Sequence, residues 1–103
     1  MILVRMVFQA KWGKAGEVAK QFEQGAELMQ QVLGKDVRMR ILTDLSGSFD
    51  TVVQEFEVES LAEWEQGRAK MFSSPEFEQA RESMAETPFV SGRAEFYTIE
   101  ATI

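Results

Sequence analysis

From Ile2 to Lys11 the chain alternates. Ile2, Val4, Met6, Phe8 and Ala10 fall on one side, Leu3, Arg5, Val7, Gln9 and Lys11 on the other, which is the two-residue period of a strand. Gly13 and Gly16 interrupt it, and from about Lys14 the spacing turns helical. Ala15, Val18, Ala19, Phe22, Ala26, Met29, Val32 and Leu33 make one apolar stripe, with polar residues off it. Gly34 stands where a helix C′ residue is expected, and Gly25, in mid-helix, reads as a point of close approach by another element. Alternation returns over 37–45 and again over 51–58, separated by Ser46-Gly47-Ser48-Phe49-Asp50, a short run of turn residues that predicts a hairpin. Ser60 and Glu63 fit a capping box that starts a second helix, with Leu61, Trp64, Arg68, Met71 and Phe72 on its inner side. Ser74-Pro75 restarts a helix, Phe77, Ala80 and Met84 face inward, and Thr87-Pro88 ends it. A fourth strand is predicted over 91–103.

The order is β-α-β-β-α-β with the second helical region split in two, which predicts an α+β, ferredoxin-like domain with a four-stranded antiparallel sheet. Helices then cover one sheet face, lined by Ile2, Val4, Met6, Phe8, Val37, Met39, Ile41, Phe56, Val58 and Phe96, with Gln54 as a polar exception. The opposite face mixes Arg5, Gln9, Arg38, Arg40, Glu55, Glu57, Arg93, Glu95 and Tyr97 with Leu3, Val7, Leu42, Val53 and Ile99. That mixture is too aliphatic for a solvated face and too charged for a plain core, because unpaired buried charge is expensive. Closure by a second copy around a cavity accommodates both, and it predicts a homodimer.

Composition narrows the chemistry. The 103 residues, 45% of them hydrophobic, fit one domain over 1–103 and can bury a core without staples. There is no cysteine and no histidine, which removes disulfides, thiolate metal sites and the commonest general base near neutral pH. A net charge of -6 repels nucleic-acid backbones and anionic membranes, so neither partner is expected. No apolar run reaches the roughly 20 residues of a membrane span, and the apolar start, broken by Arg5, lacks the features of a secretion signal. A cytoplasmic location is the expectation.

Phosphate-binding loops, dinucleotide fingerprints and nucleophile elbows are absent from the sequence, and no cofactor or metal is predicted. Two readings of the mixed face stand side by side. In one, Arg38 and Arg40 pair across the hairpin with Glu55 and Glu57 as structural or interface contacts. In the other, Arg38, Arg40, Glu55, Glu57 and Tyr97 line a ligand pocket. Trp12 reads as a staple between strand and helix, Trp64 as core, and each has a competing reading as a platform for an aromatic ligand.

The layout, the mixed face and the stretch from Arg40 through Gly47, Glu55, Glu57 and Ser60 to Trp64 resemble the dimeric α/β-barrel superfamily, nearest its NIPSNAP-like branch. The resemblance implies two ferredoxin-like subunits packed sheet to sheet around a barrel. That superfamily includes cofactor-independent monooxygenases, lactone isomerases, haem-degrading enzymes and many members without an assigned activity. The histidine-dependent mechanisms of some members do not carry over to a chain without histidine. The resemblance therefore implies a homodimer of uncertain role that binds a small hydrophobic ligand in the barrel or is purely structural. The alternative is a cofactor-independent monooxygenase or isomerase acting on a hydrophobic or aromatic substrate, with arginines and Tyr97 holding an oxyanion and Glu55 or Glu57 moving a proton.

Overall fold

Alternation along each strand leaves the choice of sheet order to the pairing, and the pairing here gives β2-β3-β1-β4, antiparallel throughout. The elements are β1 (Ile2–Ala10), α1 (Ala15–Leu33), β2 (Arg38–Thr43), β3 (Thr51–Val58), α2 (Leu61–Phe72), α3 (Pro75–Met84) and β4 (Phe89–Thr98). The computed structural model describes residues 1–34, 36–84 and 89–103, without the side chains of Ala80, Arg81, Ser83, Met84 and Phe89. The fold is ferredoxin-like, as the element order predicts.

One face of the sheet meets the helices through two apolar clusters. Val4, Phe56 and Val58 pack with Leu33 of α1 and Trp64 of α2, and the Phe56 and Trp64 rings lie 5.2 Å apart. Ala10 and Val52 pack with Val18 and Phe22 of α1, with Phe8 and Ile41 at the margin. The α1 stripe therefore does what its spacing implies. The two later helices begin as their sequences direct. The Ser60 hydroxyl accepts the Glu63 N–H at 3.1 Å, while Glu63 reaches back to the N–H of Glu59. The Ser74 hydroxyl accepts from Phe77 N–H, with Pro75 at the first helical position.

Several expectations are corrected. β2 is shorter than the alternating run: Val37 precedes it, and Asp44 leaves it to bond Thr51. β4 spans Phe89–Thr98 rather than 91–103. Its ladder runs out where β1 begins, with one last bond from Ile99 N–H to Met1 O. On α2 the buried residues are Trp64 and Gly67, whereas Leu61, Arg68 and Phe72 are exposed. Close helix approach occurs at Gly67, where an added Cβ would sit 2.3 Å from Leu33 Cδ2, and not at Gly25, which has open space around it. Trp12 is exposed and meets Phe49 of the hairpin edge-on at 5.3 Å, so it does not staple β1 to α1. Phe96 keeps the helix-side parity, opposite Val4, but is about half exposed on the edge strand. The expected inward packing of Ala80 and Met84 and the stop at Thr87-Pro88 lie outside the described residues.

α1 has a start that no local pattern announces. Its own N-cap, Lys14, makes no side-chain cap bond. The carboxylate of Asp50, in the β2–β3 hairpin, accepts instead from Gly13 N–H at 2.9 Å and Ala15 N–H at 3.1 Å. Asp50 also takes the Ala10 N–H on its carbonyl and holds φ at 63°, a left-handed conformation that aspartate tolerates better than most residues.

Candidate functional site

Opposite the helices, register builds cross-strand rows. Arg40 faces Glu55, Glu55 faces Arg5, and Arg5 faces Glu95, so one row crosses all four strands with alternating charge. Glu55 is buried at its centre. One of its carboxylate oxygens accepts from Arg5 Nε at 3.3 Å, and the other accepts from Arg40. Arg5 also donates to Glu95 at 3.0 Å, and Arg93 donates through Nε to the second Glu95 oxygen at 3.0 Å. Tyr97 donates its hydroxyl to Glu95, likewise at 3.0 Å.

These contacts set the protonation equilibria. Hydrogen bonds from Arg93, then Arg5, then Tyr97 hold the Glu95 carboxyl below its ordinary value. Glu95 in turn raises the Tyr97 phenol, since losing that proton would set two anions side by side. The Arg5 guanidinium is raised chiefly by Glu95, with burial opposing and Glu55 assisting.

The rows on either side differ in kind. Arg38, Glu57, Leu3 and Tyr97 form one, with the Arg38–Glu57 pair stretched to 3.7 Å. Leu42, Val53, Val7 and Arg93 form the other. Val7 and Val53 are only 6% exposed although they face away from the helices. Over them lies an open concavity of about 510 Å³. Its far side is polar, with Gln9, Asp44, Ser46, Ser48, Thr51 and Ser91, while Arg5 borders it from the charged row and Arg93 ends the aliphatic row itself.

Parity thus puts all five expected site residues, Arg38, Arg40, Glu55, Glu57 and Tyr97, on the helix-free face, and the arginine–carboxylate pairs are the expected ones. They do not converge on the concavity. Arg38 and Arg40 are 79% and 66% exposed at the β2 edge of the single chain, and Tyr97 is half exposed and bound along its own strand. Absent from that expected set are Arg5 and Arg93, which the parity of β1 and β4 already places on this face. The pivotal role of Arg5 depends on β1 being central, and that is a property of sheet order rather than of any local motif. Among the described residues no group of three carboxylates gathers as a metal site would require.

No family model and no curated protein matches the sequence. Solved structures match in fold. An uncharacterized NIPSNAP domain protein from Burkholderia xenovorans superposes with a TM-score of 0.85 at 17% identity, over 100% of this chain and 98% of that one. A NIPSNAP-like domain protein from the same organism gives 0.83 at 20% identity, over 99% and 88%. SnoaB, a cofactor-independent oxygenase from Streptomyces nogalater, gives 0.70 at 13% identity, over 99% and 95%. At these identities the shared property is the fold. The neighbours are NIPSNAP-domain proteins and, further off, oxygenases of the ferredoxin-like class, in agreement with the resemblance drawn from the hairpin and its flanks.

Proposed function

We propose that the helix-free sheet face binds a small, largely apolar molecule, and that two copies of the chain pack these faces together to enclose it. The observation that carries this reading is the concavity over Val7, Val53 and Leu42, an apolar floor with convergent polar groups at its edges and the composition expected of small-molecule sites. Closure by a second copy is supported by Leu42 and Tyr97, which stay exposed on the same face, and by the exposed arginines at its β2 edge. No helix among the described residues is long and apolar enough to cross a membrane. A cytoplasmic setting belongs to the proposal, supported by the acidic, cysteine-free composition.

The alternative, a cofactor-independent monooxygenase or isomerase acting on an aromatic substrate, is supported by the fold shared with SnoaB and by Tyr97. The phenol of Tyr97 stays protonated beside Glu95 and so remains a donor. Both oxygens of Glu55 are engaged by arginines of the row, Arg5 and Arg40, rather than turned to the concavity. Native mass spectrometry of the purified protein tests the binding reading. A particle of twice 11.7 kDa with retained small-molecule mass is expected, and a bare monomer at micromolar concentration overturns it. Oxygen uptake on adding an aromatic ligand that binds would move the assignment to the enzyme.

A further inference from the structure

We infer that the molecule held on the helix-free face is an apolar carboxylic acid, its hydrocarbon body lying across the strands over Leu42, Val53 and Val7 and its carboxylate resting on Arg93. The inference rests on the binding reading above and adds the ligand's charge and orientation.

Three observations carry it. The first is register. Leu42, Val53, Val7 and Arg93 occupy a single row. With strands about 4.8 Å apart, three aliphatic side chains make an apolar floor about 10 Å long. A guanidinium ends that floor on one side only.

The second is charge. Arg40, Glu55, Arg5, Glu95 and Arg93 form one connected chain of ion pairs, with three guanidiniums against two carboxylates. In a protein of net charge -6 this chain of contacts carries one uncompensated positive charge. Its Arg93 end borders the concavity and is 65% exposed. The bond to Glu95 engages Nε, and a guanidinium has five N–H donors, so capacity for a carboxylate remains.

The third is the opposite end. Asp44 borders the concavity on the β2 side, with one carboxylate oxygen accepting the Thr51 N–H at 2.8 Å. An anion placed there meets a carboxylate, and one placed at the β4 end meets Arg93. The two ends therefore fix the direction in which a monoanion lies.

Calorimetry on the whole chain, with octanoate and 1-octanol as matched probes, tests this. Octanoate is expected to bind roughly tenfold more tightly than octanol, the contribution of one charge-assisted contact at a partly exposed site. Arg93→Gln should remove that preference, weakening octanoate roughly tenfold more than octanol. Added salt should weaken octanoate and not octanol. Equal affinities that ignore both the variant and salt, or a preference for octanol, overturn the anion assignment and leave the apolar site standing. If neither probe binds, the underlying binding reading falls and this one with it. Should Arg93→Gln fail to fold by circular dichroism, the salt dependence of the unaltered protein decides, with Arg93→Lys as the variant that keeps the charge but not the fork.

Discussion

Asp50 joins two elements that lie 35 residues apart, and its removal has a calculable cost. In Asp50→Ala two N–H groups at the entry to α1, that of Gly13 just before the N-cap and that of Ala15 at the first helical position, lose their acceptor. Loss of an N-cap side chain costs about 1 kcal/mol, within a range of about 0.5 to 2. The backbone stays at φ 63°, where alanine is disfavoured by roughly another 1 kcal/mol. The expected loss is therefore about 2 kcal/mol, or roughly 8 to 16 °C in Tm for a domain of this size. Asp50→Gly separates the two contributions. It also loses the cap but is at ease at positive φ, so it should lose about 1 kcal/mol, part of that through a freer unfolded chain. Asp50→Asn keeps an acceptor and tolerates the left-handed region, and it should lose less than about 1 kcal/mol. Urea unfolding followed by circular dichroism measures all three. If the alanine variant lies within about 0.5 kcal/mol of the parent, or if glycine is worse than alanine, the reasoning from cap and backbone is wrong.

Gly67→Ala should destabilise by about 1 kcal/mol, because crowding of Leu33 and of the Val32 carbonyl outweighs alanine's helix preference of roughly 1 kcal/mol; a higher urea midpoint for the variant contradicts the close approach of α1 and α2. Trp64→Ala should cost about 3 to 5 kcal/mol, whereas Trp12→Ala should cost about 1 kcal/mol or less, since Trp64 is buried against Phe56 while Trp12 is exposed and meets the exposed Phe49 ring edge-on. For Glu95, a folded-state value below the unfolded one means that its contribution is present above the ordinary glutamate value and is lost as pH falls through the folded value. Acid unfolding curves of Glu95→Gln should accordingly be flatter than the parent's below about pH 4, and superimposable curves refute the linkage.

Much of the fold was legible in the order of residues. Two-residue alternation assigned Val4, Phe56 and Val58 to one face and Arg5, Glu55 and Arg40 to the other, and Ser60-x-x-Glu63 and Ser74-Pro75 marked their helix starts. The misreadings share a physical cause, which is that they depend on partners distant in sequence. Alternation continues to Ile103, but a strand needs a neighbour, and β1 supplies none beyond Ile2. Gly67 has no side chain to register in an apolar stripe, so the stripe through Leu61, Trp64, Arg68, Met71 and Phe72 marks the inner face of α2 correctly at Trp64 and misses Gly67. Asp50 looked like any turn residue until the hairpin carried it to the start of α1. The candidate site was legible as a face but not as a cavity. Which row holds the concavity depends on how the edge strands and the hairpin loop sit around Val7 and Val53.

The charged row also bears on why the strands pair in this register and no other. A one-residue slip is excluded by burial, because it would turn Phe56 and Val58 out of the core. A two-residue slip keeps the faces and must be opposed by something else. Shifting β4 by two in one direction sets Arg5 against Arg93, and in the other sets Val7 against Glu95. Shifting β2 by two leaves Arg40 facing Val53, or Leu42 facing Glu55. Each slip retains at most part of the pairing, at about 0.2 to 1 kcal/mol per lost pair. Were Arg40 and Glu55 an isolated ion pair, exchanging them would be close to neutral. In a row it is not, because the arginine introduced at position 55 would face Arg5 on the next strand. Arg40→Met alone should cost no more than about 0.5 kcal/mol, since Arg40 is mostly exposed and Arg5 still satisfies Glu55. The combined Arg40→Glu and Glu55→Arg exchange should cost about 2 kcal/mol, because it buries a like-charge contact at the middle of the sheet. Adding Arg5→Glu and Glu95→Arg, which inverts the whole row, should recover much of that loss, leaving mainly the new mismatch with Arg93. Equal stability of the half-exchanged and fully inverted chains, measured by urea midpoints, would reduce the row to separate surface pairs and remove its part in setting the register.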